Sequence, residues 1–286
     1  MHFHIFGQSI SQSLSPVIHN TAFAALGLSH HYDIRDCARL SDVEHLIIDN
    51  EFGGASVTMP HKLSVGHYCN DTSDAAMKIG AINTLVARRD DTGVRTIYGD
   101  NTDWTGLYSI VVGYAPFASS QAPVGLVIGA GGAARAAVYA LVQARMKQIY
   151  VWNRTVDKAR KIAIDFRDMC SVTAVAHQSE IIEAPDIIIG TIPGEVLPRS
   201  AFVDLFRKPK GLCIEMSYKP PITKLLSVAR AHSEWMTADG LEVLLQQAFG
   251  QSELWTGRDA PQDVMRAAVK FAIGNQSVEN TGNARI

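Results

Sequence analysis

The chain lacks most of the features that mark specialised protein classes. It has only four cysteines in 286 residues, Cys37, Cys69, Cys170 and Cys213, widely spaced and without a C-x-x-C pair. That excludes a dense disulfide framework and a cysteine metal site, and predicts reduced, buried thiols. It has no block of five or six like charges, and 26 Lys+Arg against 28 Asp+Glu leave a formal charge of −2. Without a basic face there is no electrostatic footprint for nucleic acid or an anionic membrane surface. It has no continuous apolar run of spanning length: the uncharged stretch Leu107 to Ala134 is broken by Pro116, Ser119, Ser120, Gln121, Pro123 and several glycines. The N-terminus, Met1-His2-Phe3-His4-Ile5-Phe6, lacks the basic region and long apolar core of a signal peptide and reads as a strand, so a cytoplasmic protein is expected. Ten histidines occur without H-E-x-x-H or mixed Cys/His spacing, and G-x-S-x-G is absent; no metal and no hydrolase nucleophile are expected.

What is present is an ordinary globular composition, 47% hydrophobic and 19% charged, long enough for one large domain or two of moderate size. Up to about Val86, short apolar runs (Phe3 to Phe6, Gly54 to Thr58) alternate with helical patterns (Pro16 to Leu26, Asp42 to Asp49). Ser15-Pro16 is a helix-start signal in which the serine caps and the proline takes the first helical position. Tyr114 to Pro123 is rich in Ala, Ser, Pro and Gln and reads as a junction. Beyond it Val124 to Ile128, Ile149 to Trp152, Ile187 to Thr191 and Leu212 to Glu215 have strand length, separated by helical segments Ala133 to Ala144 and Asp157 to Asp168. Strands alternating with helices imply an α/β fold with a parallel, doubly wound sheet. A helical stripe follows Asp239, a further helix is expected over Asp263 to Ile273, and the polar tail Gly274 to Ile286 reads as disordered.

Gly129-Ala130-Gly131-Gly132-Ala133-Ala134 follows a strand and opens a helix, the context that G-x-G-x-x-G/A requires of a dinucleotide site. Small residues let backbone N–H groups approach a pyrophosphate, and the helix N-terminus adds a positive dipole end. About 20 residues further on, an NAD site usually presents an acid to the ribose hydroxyls. Here the second strand ends in Trp152-Asn153-Arg154-Thr155, with no acid. Arg154 offers a charged fork for a 2′-phosphate, with Asn153 and Thr155 as neutral partners, so NADP is preferred over NAD. Taken alone, N-R-T is better explained by helix capping and a solvated arginine; its distance from the glycine loop changes that reading.

Four polar clusters lie at strand ends in the first half: Ser13-Leu14-Ser15-Pro16, Val57-Thr58-Met59-Pro60-His61-Lys62, Gly80-Ala81-Ile82-Asn83-Thr84 and Gly99-Asp100-Asn101-Thr102-Asp103. In this order, and with Tyr218-Lys219-Pro220, Asp239-Gly240-Leu241 through Gln247 and Leu254-Trp255-Thr256-Gly257, the chain resembles the shikimate dehydrogenase family over nearly its whole length. Gly53-Gly54-Ala55-Ser56-Val57-Thr58 and Asp100-Asn101-Thr102-Asp103-Trp104 resemble the fungal branch, which includes a module of the pentafunctional shikimate-pathway protein and quinate dehydrogenases. The resemblance implies reversible, NADP-linked reduction of 3-dehydroshikimate to shikimate in aromatic amino acid biosynthesis, with Lys62 and Asp103 as the catalytic pair. A cationic donor at the carbonyl oxygen stabilises the charge that hydride addition creates and supplies a proton; a carboxylate holds that donor in place. The resemblance further implies that Ser13 and Ser15 bind the substrate carboxylate, Thr58, Asn83 and Gln247 the ring hydroxyls, and that Tyr218 lies beside nicotinamide and carboxylate. Standing alone, each of these residues would read as a cap, a strand residue or a solvated face.

It also implies two lobes with the active site in the cleft between them: residues 1–104 for substrate, 105–238 as a Rossmann-like NADP lobe, and C-terminal helices over 239–286 returning to the first. Three positions depart from the common pattern: Gln12 where histidine is frequent, His61 where bulkier apolar or aromatic residues are frequent, and Trp104 where glycine is common. His61 bears on Lys62 and on the identity of the ring substrate. A quinate or dual quinate/shikimate dehydrogenase is the nearest alternative. A catalytically idle regulatory module is a second, opposed by the retention of Lys62, Asp103 and the glycine loop. The partner expected is a small molecule; sequence leaves the oligomeric state open.

Overall fold

In a computed structural model, which describes residues 1–89, 92–114 and 122–282 and side chains of the last helix only to residue 274, the chain divides into two units. Met1–Ala76, Ile82–Thr102 and Ala248–Ile286 form the first; Met77–Ala81 and Asp103–Gln247 form the second. The division falls after Thr102 and again inside a helix, at Gln247, rather than at Asp239. Residues 115–121 of the expected junction lie outside the described residues.

The first unit is a six-stranded mixed sheet in the order β2-β1-β3-β5-β6-β4, where β1 is His2–Gly7, β2 His31–Asp36, β3 Phe52–Val57, β4 Asp71–Thr72, β5 Thr84–Arg89 and β6 Arg95–Asp100. β1 runs parallel to both β2 and β3, while β5 is antiparallel to β3 and to β6. β3 is buried along its whole length because the sheet is covered on both faces, which is why it reads as a continuous apolar run and not an alternation. Helix α1 (Ser15–Ala25) packs against the C-terminal helix α9 (Gln262–Gly282). The N-cap of α1 is Leu14, with no side-chain cap bond; Ser15 is therefore one position inside the helix and its hydroxyl is not the cap. The helix α9 continues nine residues past Ile273, so the expectation of disorder from Gly274 fails as far as Gly282; residues 283–286 lie outside the described residues. The segment expected to be one helix over Asp42 to Asp49 is a single 3₁₀ turn followed by the four-residue α2 (Glu44–Ile47).

The second unit is an all-parallel sheet in the order β12-β11-β10-β7-β8-β9, where β7 is Val124–Ile128, β8 Gln148–Trp152, β9 Ser171–Val175, β10 Ile187–Gly190, β11 Gly211–Glu215 and β12 Trp235–Ala238. The strand order reverses between β7 and β10, the position at which doubly wound sheets bind their ligands. Helices α4 (Thr102–Val112), α5 (Gly132–Gln143) and α6 (Val156–Phe166) follow β6, β7 and β8 respectively. The core on one face joins Leu107 and Val111 of α4 to Ala137 and Leu141 of α5 and to Val127, Val151 and Ile189 of the strands. Helix α8 (Gly240–Thr256) carries the boundary between the units within its length.

Candidate active site

In the first unit the topology gathers five of the sequence-predicted residues at one end of the sheet. β1 and β3 are parallel, so the loop after Gly7, which holds Ser13 and Ser15, and the segment after Val57, which holds Thr58 and Lys62, leave from the same end. Strand β5 is antiparallel to β3, and its first residue Thr84 pairs with Ser56. Asn83 therefore sits at that end too. Ser13 and Ser15 touch directly: the Ser13 hydroxyl donates to Ser15 Oγ (3.2 Å) and accepts the Ser15 N–H (3.2 Å). Thr58 continues the ladder by donating its N–H to the Phe6 carbonyl (2.9 Å). Lys62, half-buried, lies in a three-residue 3₁₀ turn, His61–Leu63.

Asn83 is buried and held rigidly. Its Oδ1 accepts the Thr102 N–H (2.7 Å) and the Thr84 hydroxyl (2.7 Å), and its Nδ2 donates to Thr102 Oγ1 (3.0 Å). Thr102 immediately precedes Asp103, which is buried in the first turn of α4. A chain of polar groups runs on from this amide: Tyr32 donates to Ser56 Oγ (2.6 Å), Ser56 donates to Gln251 Oε1 (2.8 Å), and the Gln251 amide donates to Thr84 Oγ1 (3.0 Å) and to the Asn83 carbonyl (3.2 Å). Burial holds the Tyr32 phenol well above its usual range, against smaller opposing hydrogen bonds from Ser56 and Ser15. It therefore stays protonated, as a donor.

In the second unit the glycine loop, the end of β8 and the segment after β11 share the carboxyl end of the sheet. Gly129 has φ +120°, a conformation that L side chains rarely adopt. A Cβ at Gly131, by contrast, would meet nothing within 4 Å among the described residues. Helix α5 starts there with Gly131 as N-cap and no side-chain cap bond, so the first-turn N–H groups of Gly132, Ala133 and Ala134 begin an uncapped helix end suited to an anion. Ala130 links the two glycines. Beside the loop is a cavity of about 400 Å³ lined by Gly129, Trp152, Asn153, Arg154, His177 and Ile192, among others, with no acidic side chain among the described residues of its wall. Among the described residues, exposed Arg154 makes no hydrogen bond or ion pair; Asn153 Nδ2 donates to the Thr155 carbonyl (2.8 Å). Thr155 is the N-cap of α6 but its hydroxyl makes no cap bond, and it does not line the cavity.

Tyr218 lies in the turn after β11, a turn fixed by a group that sequence reasoning missed. The carboxylate of Glu215, buried at the end of β11, accepts the Ser217 N–H (3.0 Å) and the Thr223 hydroxyl (3.0 Å); burial pushes its pKa up. Gln247, on α8, is mostly buried and donates from Nε2 to the Leu244 carbonyl (2.7 Å).

Residues 5–85 match the shikimate dehydrogenase substrate binding domain, 116–215 the shikimate/quinate 5-dehydrogenase domain, and 240–270 the shikimate 5′-dehydrogenase C-terminal domain. A solved shikimate 5-dehydrogenase from Mycobacterium fortuitum is 31% identical, with 93% of this chain and 97% of that one covered and a TM-score of 0.77. The chain belongs to the shikimate dehydrogenase family. Two curated fungal relatives are much longer: the pentafunctional AROM polypeptide of Malassezia globosa is 40% identical over 91% of this chain but only 17% of its own length. The quinate repressor protein of Emericella nidulans is 32% identical over 94% of this chain and 34% of its own. Among solved structures, Thermus thermophilus shikimate 5-dehydrogenase in complex with NADP(H) and shikimate is 28% identical over 95% of this chain and 99% of that one, with a TM-score of 0.78. Corynebacterium glutamicum quinate dehydrogenase in complex with NAD is 25% identical over 94% and 98%, with a TM-score of 0.79.

Within this shikimate dehydrogenase family member, Tyr32, Ser56, Gln251 and Glu215 went unread in the sequence. One signal was available for Gln251: it stands four residues after Gln247, one helical turn along the same face of α8, followed by a buried Ser252. Two polar residues in a row on a buried helix face demand partners.

Proposed function

We propose that this chain catalyses the reversible, NADP-linked reduction of 3-dehydroshikimate to shikimate in the cytoplasm. The observation that carries the reading is the convergence of Ser13, Ser15, Thr58, Lys62 and Asn83 on one end of a sheet, in a chain whose other unit bears an acid-free dinucleotide loop. The glycine turn, the start of α5 without a side-chain cap and the exposed Arg154 at the cavity fit NADP: backbone N–H groups for the pyrophosphate and a guanidinium for the 2′-phosphate. When bound, the reduced cofactor supplies a hydride to the carbonyl carbon. The remaining work belongs to side chains. Ser13 and Ser15 hydroxyls receive the substrate carboxylate, and Thr58, Asn83 and Gln247 its ring hydroxyls. Tyr218 borders the carboxylate and nicotinamide. Lys62 donates its proton to the carbonyl oxygen as negative charge develops there, and Asp103 holds the ammonium in position. In the oxidative direction the same lysine takes the hydroxyl proton back.

A quinate-directed or dual activity is the second reading, favoured by the likeness to a quinate dehydrogenase. Assays with shikimate or quinate, each with NADP or NAD, followed by absorbance of the reduced nicotinamide, distinguish the readings. Turnover is expected with shikimate and NADP; turnover only with quinate, or none with any pair, rejects the first reading. Arg154→Ala decides the cofactor. Charge-assisted bonds to a phosphate contribute about 1.5–3 kcal/mol, so KM for NADP should rise roughly ten- to a hundredfold while that for NAD barely moves. Equal shifts for both cofactors reject the 2′-phosphate role.

A further inference from the structure

We infer that His61 positions Lys62, an inference that rests on the reading of Lys62 as the acid. His61 is buried, although it precedes a half-buried lysine in a turn of only three residues. Its Nε2 lies 2.9 Å from the Cys37 carbonyl oxygen. A carbonyl can only accept, so Nε2 carries the hydrogen and His61 is the donor. The Cys37 sulfur lies 3.5 Å from the same nitrogen, but the nitrogen is committed to the carbonyl, and burial raises the thiol pKa; the pair is a tether and not an activated thiol.

Cys37 is a firm anchor. It follows β2 and donates its own N–H to the Gly7 carbonyl at the end of β1 (2.8 Å). The turn that carries Lys62 is thereby held from three sides. His61 N–H donates to the Thr58 carbonyl (2.9 Å), the Lys62 carbonyl accepts the Ile82 N–H (2.8 Å), and the His61 ring reaches Cys37. The first two are backbone bonds that any residue at these positions could make. Of these three only the last is made by a side chain of the turn; the Ser64 hydroxyl also donates to the His61 carbonyl (3.2 Å). A single 3₁₀ turn has poor hydrogen-bond geometry and no cooperative helix to stiffen it, and an ångström of error in a catalytic group can cost about a hundredfold in rate. An apolar side chain at 61 could stay buried but would remove the side-chain bond from the turn to the Cys37 carbonyl. That gives a polar ring a role at a buried position beside the lysine in this chain.

The test is a double-mutant cycle. Turnover and both Michaelis constants are measured for wild type, His61→Phe, Lys62→Ala and the double variant, with His61→Gln as the variant that can donate from nearly the same place. His61→Phe is expected to lower kcat about tenfold with KM for NADP unchanged, and His61→Gln to recover most of it. Lys62→Ala should cost about 10² to 10⁴-fold, and His61→Phe should cost nothing further on that background, because it acts through the lysine. If His61→Phe does not fold, as judged by its thermal melt, His61→Met takes its place in the cycle. A wild-type kcat in the apolar variant, or an equal loss on both backgrounds, overturns the inference while leaving the acid assignment standing. Full turnover in Lys62→Ala overturns the acid assignment, and the inference with it.

Discussion

His19 shows how far the interior of the first unit departs from solvent. The ring is completely buried on α1, stacked on Tyr32 with centroids 4.8 Å apart and edge-on to Trp255 at 4.8 Å, and among the described residues neither nitrogen has a hydrogen-bond partner. Burial lowers its pKa to about 3, with the Gln251 side chain pulling more weakly the other way. In the unfolded chain it titrates near 6.5. Between those two values the unfolded chain binds a proton that the folded one refuses. The stability contributed is therefore complete above pH 6.5 and is lost as pH falls toward 3, at up to about 1.4 kcal/mol per pH unit. His19→Phe keeps a ring in the aromatic cluster and removes both orphan nitrogens. It should be more stable than wild type by roughly 1 kcal/mol at pH 7 and by about 2–4 kcal/mol at pH 4. Denaturant unfolding at the two pH values checks this; parallel pH dependence in both proteins would show that His19 titrates normally in the fold.

Helices α4 and α8 approach each other across a glycine. A Cβ at Gly106 would meet the Gln247 backbone nitrogen at 2.8 Å and the Gln246 carbonyl carbon at 3.1 Å, and beside it Ser109 Oγ donates to Gln246 Oε1 (3.0 Å). Backbone cannot rotate aside as a side chain can, so Gly106→Ala must push the helices apart, at a cost of about 1–3 kcal/mol. Since α4 carries Asp103 in its first turn and α8 carries Gln247, KM for shikimate should rise while KM for NADP holds; unchanged constants would separate this contact from the site. The same elements show what a sequence can reveal. Strands β7, β8, β10 and β11 were legible because burial on both faces leaves apolar runs, and the glycine loop because its chemistry is local. Strands β9 and β12 lie at the sheet edges, partly exposed and too mixed in composition to stand out. β5 and β6 were met only as polar strand ends. The network of Tyr32, Ser56 and Gln251 joins residues up to 195 positions apart, which no periodicity records. Gln251 was within reach by its spacing from Gln247, whereas Glu215 looked like the last residue of an apolar strand.

Both chain ends contribute to the first unit, where α9 lies on α1 and buries Met265 and Val269. A chain ending at Pro261, before α9, should lose turnover with shikimate while keeping NADP affinity within about threefold, because the sheet of the second unit is complete without it; apolar face loss of this kind removes roughly 1.5–3 kcal/mol for each large side chain. Cofactor fluorescence titration against the activity assay reads the two effects separately, and retained turnover would show α9 to be dispensable. The interleaved order of segments has a consequence for biosynthesis. The second unit is an almost uninterrupted stretch, whereas the first is written in three pieces, the last of them emerging from the ribosome after the whole of the second. Domains fold as units during synthesis, so the dinucleotide sheet can be complete while the substrate sheet still waits for its final helix. Once residues up to Gln247 are outside the ribosome, the second unit has its whole sequence while the first still lacks one of its three pieces.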